Sequence, residues 1–494
     1  MAAIDPSVFK SYDIRGTYPN QLDERFAYLL GRSLPAVFGA QRVAVGHDAR
    51  LSSPSLYAAL CAGLRDAGAQ VAGIGLCATE LVYFVMGSIG TSGPSSAPAS
   101  AARTGSEGLD LGVMITASHN PPEYNGFKVV KAGGEPISAA SGLGGICEHM
   151  EATSAGVPHG CAAPDKALFV EDDYLDFALT LVGMPEVKGL RIAVDAGSGV
   201  AGLLWRGLSL RLGFEPVRLN FEPDGRFPAH HPDPSRRENL DQLVAVVEEE
   251  GLDLGFAYDG DADRVVVVLQ GGHVVDGSEM IVCIASRLLQ RDASLPLGVG
   301  QTSSRKALDY FRKRGVEIVM LPVGHAKIKA FMRSNPQIAF AGEDAGHCYY
   351  RDFFRCDSSL ITTLHLLHLA ASAALVNLVR SLPGPWLRPE KEPTFGFSRQ
   401  SRALEVCRQV ALVMLERHPE PLEVTCEKHG RILRNCSAGD VEQCDGVRVD
   451  YAAWWFCVRP SGTEPIARLA IEARTPELLG KMTDIFTSLF RAFE

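Results

Sequence analysis

Two apolar runs, Leu111–Ile115 and residues 127–130, bracket a stiff polar loop, Thr116-Ala117-Ser118-His119-Asn120-Pro121-Pro122. The pattern predicts strand, tight loop, strand. It delivers Ser118 to the end of a buried strand, where only the loop is free. His119 and Lys128 bring positive charge close by in sequence. An ordinary turn also uses Ser and Asn, so the weight of this stretch depends on the other loops of the chain.

A chain of 494 residues is too long for one core and calls for about three or four domains. Apolar content of 46% and charged content of 21% are ordinary for a soluble globular enzyme. A net charge of -10 argues against a general role on nucleic acid or a membrane surface. Positive potential for an anionic substrate must then be local. The twelve cysteines form no C-x-x-C pair, and residues 1–10 do not resemble a targeting peptide. Reduced thiols in a cytoplasmic protein are expected. Cys426, Cys436 and Cys444 could serve as zinc ligands or as plain thiols. Residues 360–379 are largely apolar but carry His365, His368, Ser372 and Asn377. They are expected to form one long buried helix rather than a membrane span, with the two histidines as a metal pair or as satisfied core groups.

Taken in order, the chain alternates strand and helix signals. Residues 42–46 and 71–76 read as strands, with a helix over 53–64 that starts at Ser53-Pro54, where proline's missing N–H is harmless. This rhythm predicts an α/β domain with a largely parallel sheet. Residues 90–108 read as an insertion loop and 142–164 as a linker. A second unit runs from strand 191–196 through Gly197-Ser198-Gly199, which could hold phosphate at a helix N-terminus or form a tight turn. Strand 252–258 leads into Asp259-Gly260-Asp261-Ala262-Asp263-Arg264, and Val265–Leu269 leaves it. Carboxylates at alternate positions of extended chain share one side. Held together they repel, so a divalent cation is their natural partner. Arg264 adds a positive group for a phosphate.

A third unit comprises strand 298–302, helix 304–314 and strand Ile318–Leu321, followed by Gly324-His325. Strand 338–341 then leads into Gly342-Glu343-Asp344-Ala345-Gly346-His347. There Glu343 and His347 could bond a polyol. The last hundred residues differ in kind. Strand 454–458 runs into Arg459-Pro460-Ser461-Gly462-Thr463-Glu464-Pro465, whose hydroxyls, backbone N–H groups and guanidinium suit a phosphate monoester.

Five stretches occur in one order: Tyr12-Asp13-Ile14-Arg15-Gly16, the Ser118 loop, the Asp259–Asp263 acidic loop, Gly342-Glu343-x-x-Gly346-His347 and the Arg459 loop. On these the chain resembles the α-D-phosphohexomutase superfamily over nearly its whole length, and within it the bacterial-type phosphomannomutases. Ala78-Thr79-Glu80, Tyr350-Arg351-Asp352-Phe353, Cys356-Asp357-Ser358 and Asp445-Gly446-Val447 agree with this. The resemblance implies four domains around a central cleft. Three would be related α/β domains with mixed sheets, at 1–160, 161–272 and 273–387. The fourth would be a smaller C-terminal α+β domain at 388–494.

The implied activity interconverts mannose 6-phosphate and mannose 1-phosphate through a phosphoserine enzyme and a hexose 1,6-bisphosphate, feeding GDP-mannose and carbohydrate synthesis. Phosphoglucomutase or dual specificity is the alternative. A catalytically weak phosphosugar-binding protein is the reading of another class. The resemblance implies catalytic roles for Ser118, His119, Lys128, Arg15, His325 and His347. It implies substrate contacts from Tyr12, Arg264, Gly324, Glu343, Arg459, Ser461, Gly462 and Thr463. One Mg²⁺ would be held by Asp259, Asp261, Asp263 and Ser118. The expected partner is a phosphorylated hexose, with no nucleic acid or membrane, and the protein is expected to be a monomer or weak homo-oligomer. Two positions depart from the pattern. Relatives commonly carry Ser where Ala345 stands, and Lys or Arg near Gln301.

Overall fold

The structure is a computed structural model and describes residues 4–88, 108–153, 163–462 and 464–493. The expected insertion loop, but for Gly108, lies outside these residues, as do positions 154–162 of the expected linker and Thr463. The chain divides into two compact units. One comprises Met1–Asp276 and Ala345–Asn377, the other Gly277–Asp344 and Leu378–Glu494.

The first unit opens with β1 (Ile14–Thr17), α1 (Glu24–Phe38), β2 (Arg42–His47), α2 (Ser53–Asp66), β3 (Gln70–Leu76), α3 (Thr79–Gly87), β4 (Leu111–Ile115) and β5 (Tyr124–Lys131). The sheet order is β1-β5-β4-β2-β3. Strand β2 runs parallel to β3 and β4, whereas β5 is antiparallel to β4 and β1. Local chemistry sets the helix ends. Asp23 accepts from the Phe26 N–H at 2.7 Å to start α1, and Gly39 ends it in the left-handed region at φ 67°.

The expected linker is corrected in part. Leu143–Ala152 is a helix, α4, and it buries Leu143, Ile146 and Met150 in the core beneath α1. Its apolar residues stand three and four apart, the spacing of one helical face. That is too sparse a signal to stand out among the surrounding Gly and Ser.

A second sheet in the same unit has the order Val274–Val275, Val265–Leu269, Leu254–Tyr258, Ile192–Asp195, Val217–Leu219. Leu254–Tyr258 and Val265–Leu269 pair antiparallel with Tyr258 opposite Val265. The acidic loop is therefore the tight end of a hairpin of almost wholly buried strands.

The long helix expected over 360–379 is broken. Ser359–Ala371 and Ala374–Arg380 meet at 94°. Ala373 takes the left-handed φ of 54°, and the Ser372 hydroxyl donates back to the His368 carbonyl at 3.1 Å, closing the first helix. His365 stacks on Tyr350 and His368 reaches the Gly183 carbonyl, so the two are separately engaged and not a metal pair. Among the described residues no single helix is long and apolar enough to cross a membrane.

In the second unit, Ile318–Leu321, Leu297–Gly300 and Phe340–Gly342 run parallel. The C-terminal part is an antiparallel sheet ordered Thr394–Gly396, Ile466–Ala473, Trp454–Pro460, Gly446–Asp450, Glu423–Lys428, Arg431–Arg434. Helices Gln400–Arg417 and Pro476–Ala492 share its core through Val410, Met414, Phe486 and Phe490. Mixed α/β sheets followed by a smaller α+β portion match the expected class.

Candidate active site

The β4–β5 register places Ile115 opposite Phe127 and Met114 opposite Lys128. The hairpin end carries Ser118, whose φ of 51° is left-handed. For a residue with a Cβ this costs about 1–2 kcal/mol, so neighbours must hold it. The Thr116 hydroxyl accepts from the Ser118 N–H at 2.8 Å. The Ser118 hydroxyl donates to Asp259 Oδ2 at 2.9 Å and lies 3.2 Å from His119 Nδ1. From β1, Arg15 Nη1 reaches Asn120 Oδ1 at 2.9 Å and Nη2 reaches Asp13 at 2.5 Å. The buried Nε of Arg15 finds no acceptor among the described residues.

The acidic hairpin meets the serine loop through missing bulk. A Cβ on Gly260 would sit 2.7 Å from the Ser118 carbonyl oxygen, and one on Gly199 would sit 2.6 Å from the Gly260 carbonyl. Asp259, Asp261 and Asp263 are at most 3% exposed. One oxygen from each lies within 4.8 Å of the others. Asp259 Oδ1 caps the loop by accepting from the backbone of Asp263 and Arg264, both at 3.1 Å. Arg264 Nε returns to Asp259 Oδ2 at 3.0 Å. Lys128 Nζ bridges Asp261 at 2.6 Å and Asp263 at 2.7 Å, and Thr79 donates to Asp261 at 2.7 Å.

The electrostatics follow from this crowding. Burial and the charge of Asp263 push the Asp259 carboxyl upward. Burial alone would push the Lys128 ammonium down, but Asp261 and Asp263 outweigh it and raise it well above ordinary lysine. Burial, with Arg264 and Arg15, holds His119 well below the usual imidazole range. Asp261 Oδ1 and Asp263 Oδ1 are buried without a hydrogen-bond partner among the described residues. Orphaned carboxylate oxygens beside a raised carboxyl fit a hard divalent cation.

His347 closes this side of the cluster. Its Nδ1 lies 2.8 Å from Asp357 Oδ2 and 3.8 Å from Asp263 Oδ1. Asp263, His347 and Asp357 form a second group with ligand atoms within 4.8 Å, and the cysteine trio at 426, 436 and 444 is not among such groups in the described residues. Cys426, Cys436 and Cys444 are free thiols, with Cys426 in hydrogen-bonding reach of the other two.

The structure thus brings Ser118, His119, Arg15, Lys128, Arg264, His347 and the acidic trio together in the first unit. Tyr12 is half-buried just ahead of β1 in that unit. Glu343, Gly324, His325, Arg459, Ser461 and Gly462 belong to the second unit. There Gly324 and His325 begin helix His325–Ser334, and Glu343 is buried at the end of Phe340–Gly342. Arg459 stands on Trp454–Pro460 opposite Arg468, its buried Nε without an acceptor among the described residues. The Ser461 carbonyl accepts from Gln400 at 2.6 Å. Gln301 is fully buried and donates to the Thr425 carbonyl at 3.1 Å.

Sequence reasoning assigned no role to Arg50, Thr79 or Asp357. Thr79 and Asp357 sit inside stretches that carry the family resemblance. For Arg50 the signal was Asp48-Ala49-Arg50 directly after β2, a charged pair where a strand enters the core.

Four family models match the chain. Their descriptions are phosphoglucomutase/phosphomannomutase alpha/beta/alpha domain I at 6–155, domain II at 172–272, domain III at 276–384, and the C-terminal domain at 426–488. "Phosphohexose mutases" of Xanthomonas campestris pv. campestris (strain B100) is 33% identical over 486 residues, covering 98% of this chain and 99% of the relative. "Phosphomannomutase/phosphoglucomutase" of Pseudomonas putida is 31% identical over 503 residues, covering 99% and 97%. A crystal structure of a phosphoglucomutase/phosphomannomutase family protein from Burkholderia thailandensis matches with a TM-score of 0.77 at 29% identity, covering 99% and 98%. The chain belongs to the α-D-phosphohexomutase superfamily, in its bacterial phosphoglucomutase/phosphomannomutase branch, and is an isomerase that moves a phosphoryl group within a hexose phosphate.

Proposed function

We propose that this protein interconverts mannose 6-phosphate and mannose 1-phosphate through a phosphoserine at Ser118 and a hexose 1,6-bisphosphate. One observation carries the reading: the Ser118 hydroxyl lies 2.9 Å from Asp259 within a buried acidic trio flanked by Arg264 and Lys128, with Arg15 on Asn120 of the serine loop. Asp259, Asp261, Asp263 and Ser118 would hold Mg²⁺, which supplies charge neutralisation on a transferring phosphoryl group.

The chain's own groups account for the rest. In the forward transfer the P–Oγ bond of phosphoserine breaks as a sugar hydroxyl oxygen bonds to phosphorus; the hydroxyl proton passes to a base, and the departing Ser118 oxygen regains a proton and ends as the free hydroxyl. His347, oriented by Asp357, suits that task, with His325 as a further candidate; Lys128, also expected from the sequence, is held as a charged ammonium by Asp261 and Asp263 and does not. Reversal with the bisphosphate turned end for end returns the other phosphate to Ser118. Arg15, Arg264 and Lys128 offset the negative charge at the transferring group. His119 shapes its surroundings as a neutral imidazole. Glu343 accepts from sugar hydroxyls. Arg459, Ser461, Gly462 and Thr463 hold the phosphate that is not reacting, and Tyr12 and Gly324 complete the substrate contacts. Four domains bounded near 160, 272 and 387, acting in the cytoplasm as a monomer or weak homo-oligomer, complete the reading.

The paired name of the Pseudomonas putida relative supports glucose phosphates as second substrates equally well. Purified protein given Mg²⁺, a trace of hexose 1,6-bisphosphate and mannose 1-phosphate or glucose 1-phosphate is expected to form the 6-phosphate, followed by phosphorus NMR. Absence of product from both sugars would reject the mutase reading. Tight calorimetric binding without turnover would instead favour a phosphosugar-binding protein, the reading that Ala345 and Gln301 motivate. Ser118→Ala is expected to lower turnover by roughly three orders of magnitude or more with the fold kept. A near-normal rate would remove the phosphoserine.

A further inference from the structure

Arg50 is 1% exposed, and its guanidinium faces the peptide backbone of the serine loop. Nη2 donates to the Ser118 carbonyl at 2.8 Å and the Asn120 carbonyl at 2.7 Å. Nη1 donates to the Pro121 carbonyl at 2.6 Å and the Tyr124 carbonyl at 3.0 Å. Nε donates to Asp48 Oδ2 at 3.0 Å. Every N–H of the guanidinium is thereby used. Asp48 is itself fixed: its Oδ1 accepts from the Arg50 N–H at 3.0 Å and from the Ser53 hydroxyl at 2.6 Å. The Phe227 ring covers the group, 5.2 Å from Cζ.

Four carbonyls between Ser118 and Tyr124 thus converge on one planar cation. While the Ser118 carbonyl is held by Arg50, the Ser118 hydroxyl meets Asp259. The left-handed φ of 51° at Ser118 belongs to the same arrangement. The hydroxyl points at the acidic trio because the carbonyl of its own residue is bonded to Arg50. A lysine here would keep the charge but lose the planar fork.

We propose that Arg50 is a positioning residue for phosphoryl transfer, the template on which the 118–124 loop folds so that Ser118 Oγ is aimed at the acidic trio. This rests on the reading of Ser118 as the phosphoryl carrier. The rival account is that Arg50 only stabilises the fold. The two differ in what Arg50→Lys does to molecules that remain folded.

The test compares Arg50→Lys with wild type below both melting midpoints, using mannose 1-phosphate and glucose 1-phosphate with Mg²⁺ and hexose 1,6-bisphosphate. The kcat per folded molecule is expected to fall by about 30-fold or more, as a displaced reacting group should cause, while KM changes by less than about threefold. Hydrogen exchange of the Ser118, His119, Asn120, Glu123 and Tyr124 amides is expected to speed up while exchange in Val265–Leu269 is kept. A kcat per folded molecule within about threefold of wild type, or a change in KM alone, would overturn the proposal. So would unaltered exchange in the loop. Should Arg50→Lys fail to fold, Asp48→Asn leaves the guanidinium in place without its anchoring charge. Its kcat is expected to fall with KM kept, and an unchanged kcat would count against the proposal. A wild-type protein that turns over neither sugar would reject the phosphoserine reading, while faster loop exchange in Arg50→Lys would still support the clamp.

Discussion

Glu80 is a fully buried carboxyl at the start of α3. Tyr174 donates to it at 2.7 Å, and Ser359 and the Leu360 N–H approach at 3.4 and 3.5 Å. Burial pushes it from 4.5 up to about 8. The folded protein therefore keeps a proton that the unfolded chain releases between these values. A raised acid contributes stability that is full below the unfolded pKa and is lost as pH rises through the folded one. Glu80→Gln removes this contribution to the slope. Melting temperatures at about pH 5.5 and about pH 8.5 are expected to fall more in wild type than in the variant. Parallel slopes would show that Glu80 stays ionised. The carboxylates of the acidic loop are handled differently from Glu80. Asp261 and Asp263 are held below the ordinary range against burial, chiefly by Lys128. A lysine and three aspartates could be named from sequence. That Lys128 would bridge two of them could not, because Met114 and Lys128 become neighbours only through the β4–β5 register.

At the scale of elements, the serine loop and the acidic loop were legible because each is a polar stretch between two apolar runs. A short continuous apolar run that ends in Ser, Pro or Gly has few alternatives to a buried strand and its turn. Helix α4 and the break at 372–373 were not legible. The first has a weak face, and the second turns on one alanine with a left-handed φ of 54°, which composition does not announce. The contact between the loops has its own test. In Gly260→Ala the new methyl would stand 2.7 Å from the Ser118 carbonyl, a backbone atom that cannot rotate away. One loop must shift, and turnover is expected to fall by roughly 10- to 100-fold. The loss of thermal stability should be a few degrees. Turnover equal to wild type would mean that the two loops need not touch as they do.

At the scale of the whole molecule, binding at the acidic trio should feed back on folding. A ligand that binds only the folded state stabilises it by about 2.7 kcal/mol at a hundred times its dissociation constant. Mg²⁺ is expected to raise the melting temperature of wild type over that in a chelator, and the rise should vanish in Asp261→Asn. An equal rise in both proteins would place the effect elsewhere.

The sequence alone determined the alternation of strands and helices and the polar loops between apolar runs, because apolar patterning acts over a few residues; the four-domain class and the roles of those loops came from the family resemblance. Only the tertiary structure decided that Ser118 meets Asp259 across 141 positions and that Arg50 gathers the serine loop. Which buried groups find partners depends on where distant strands cross, and no local pattern records that.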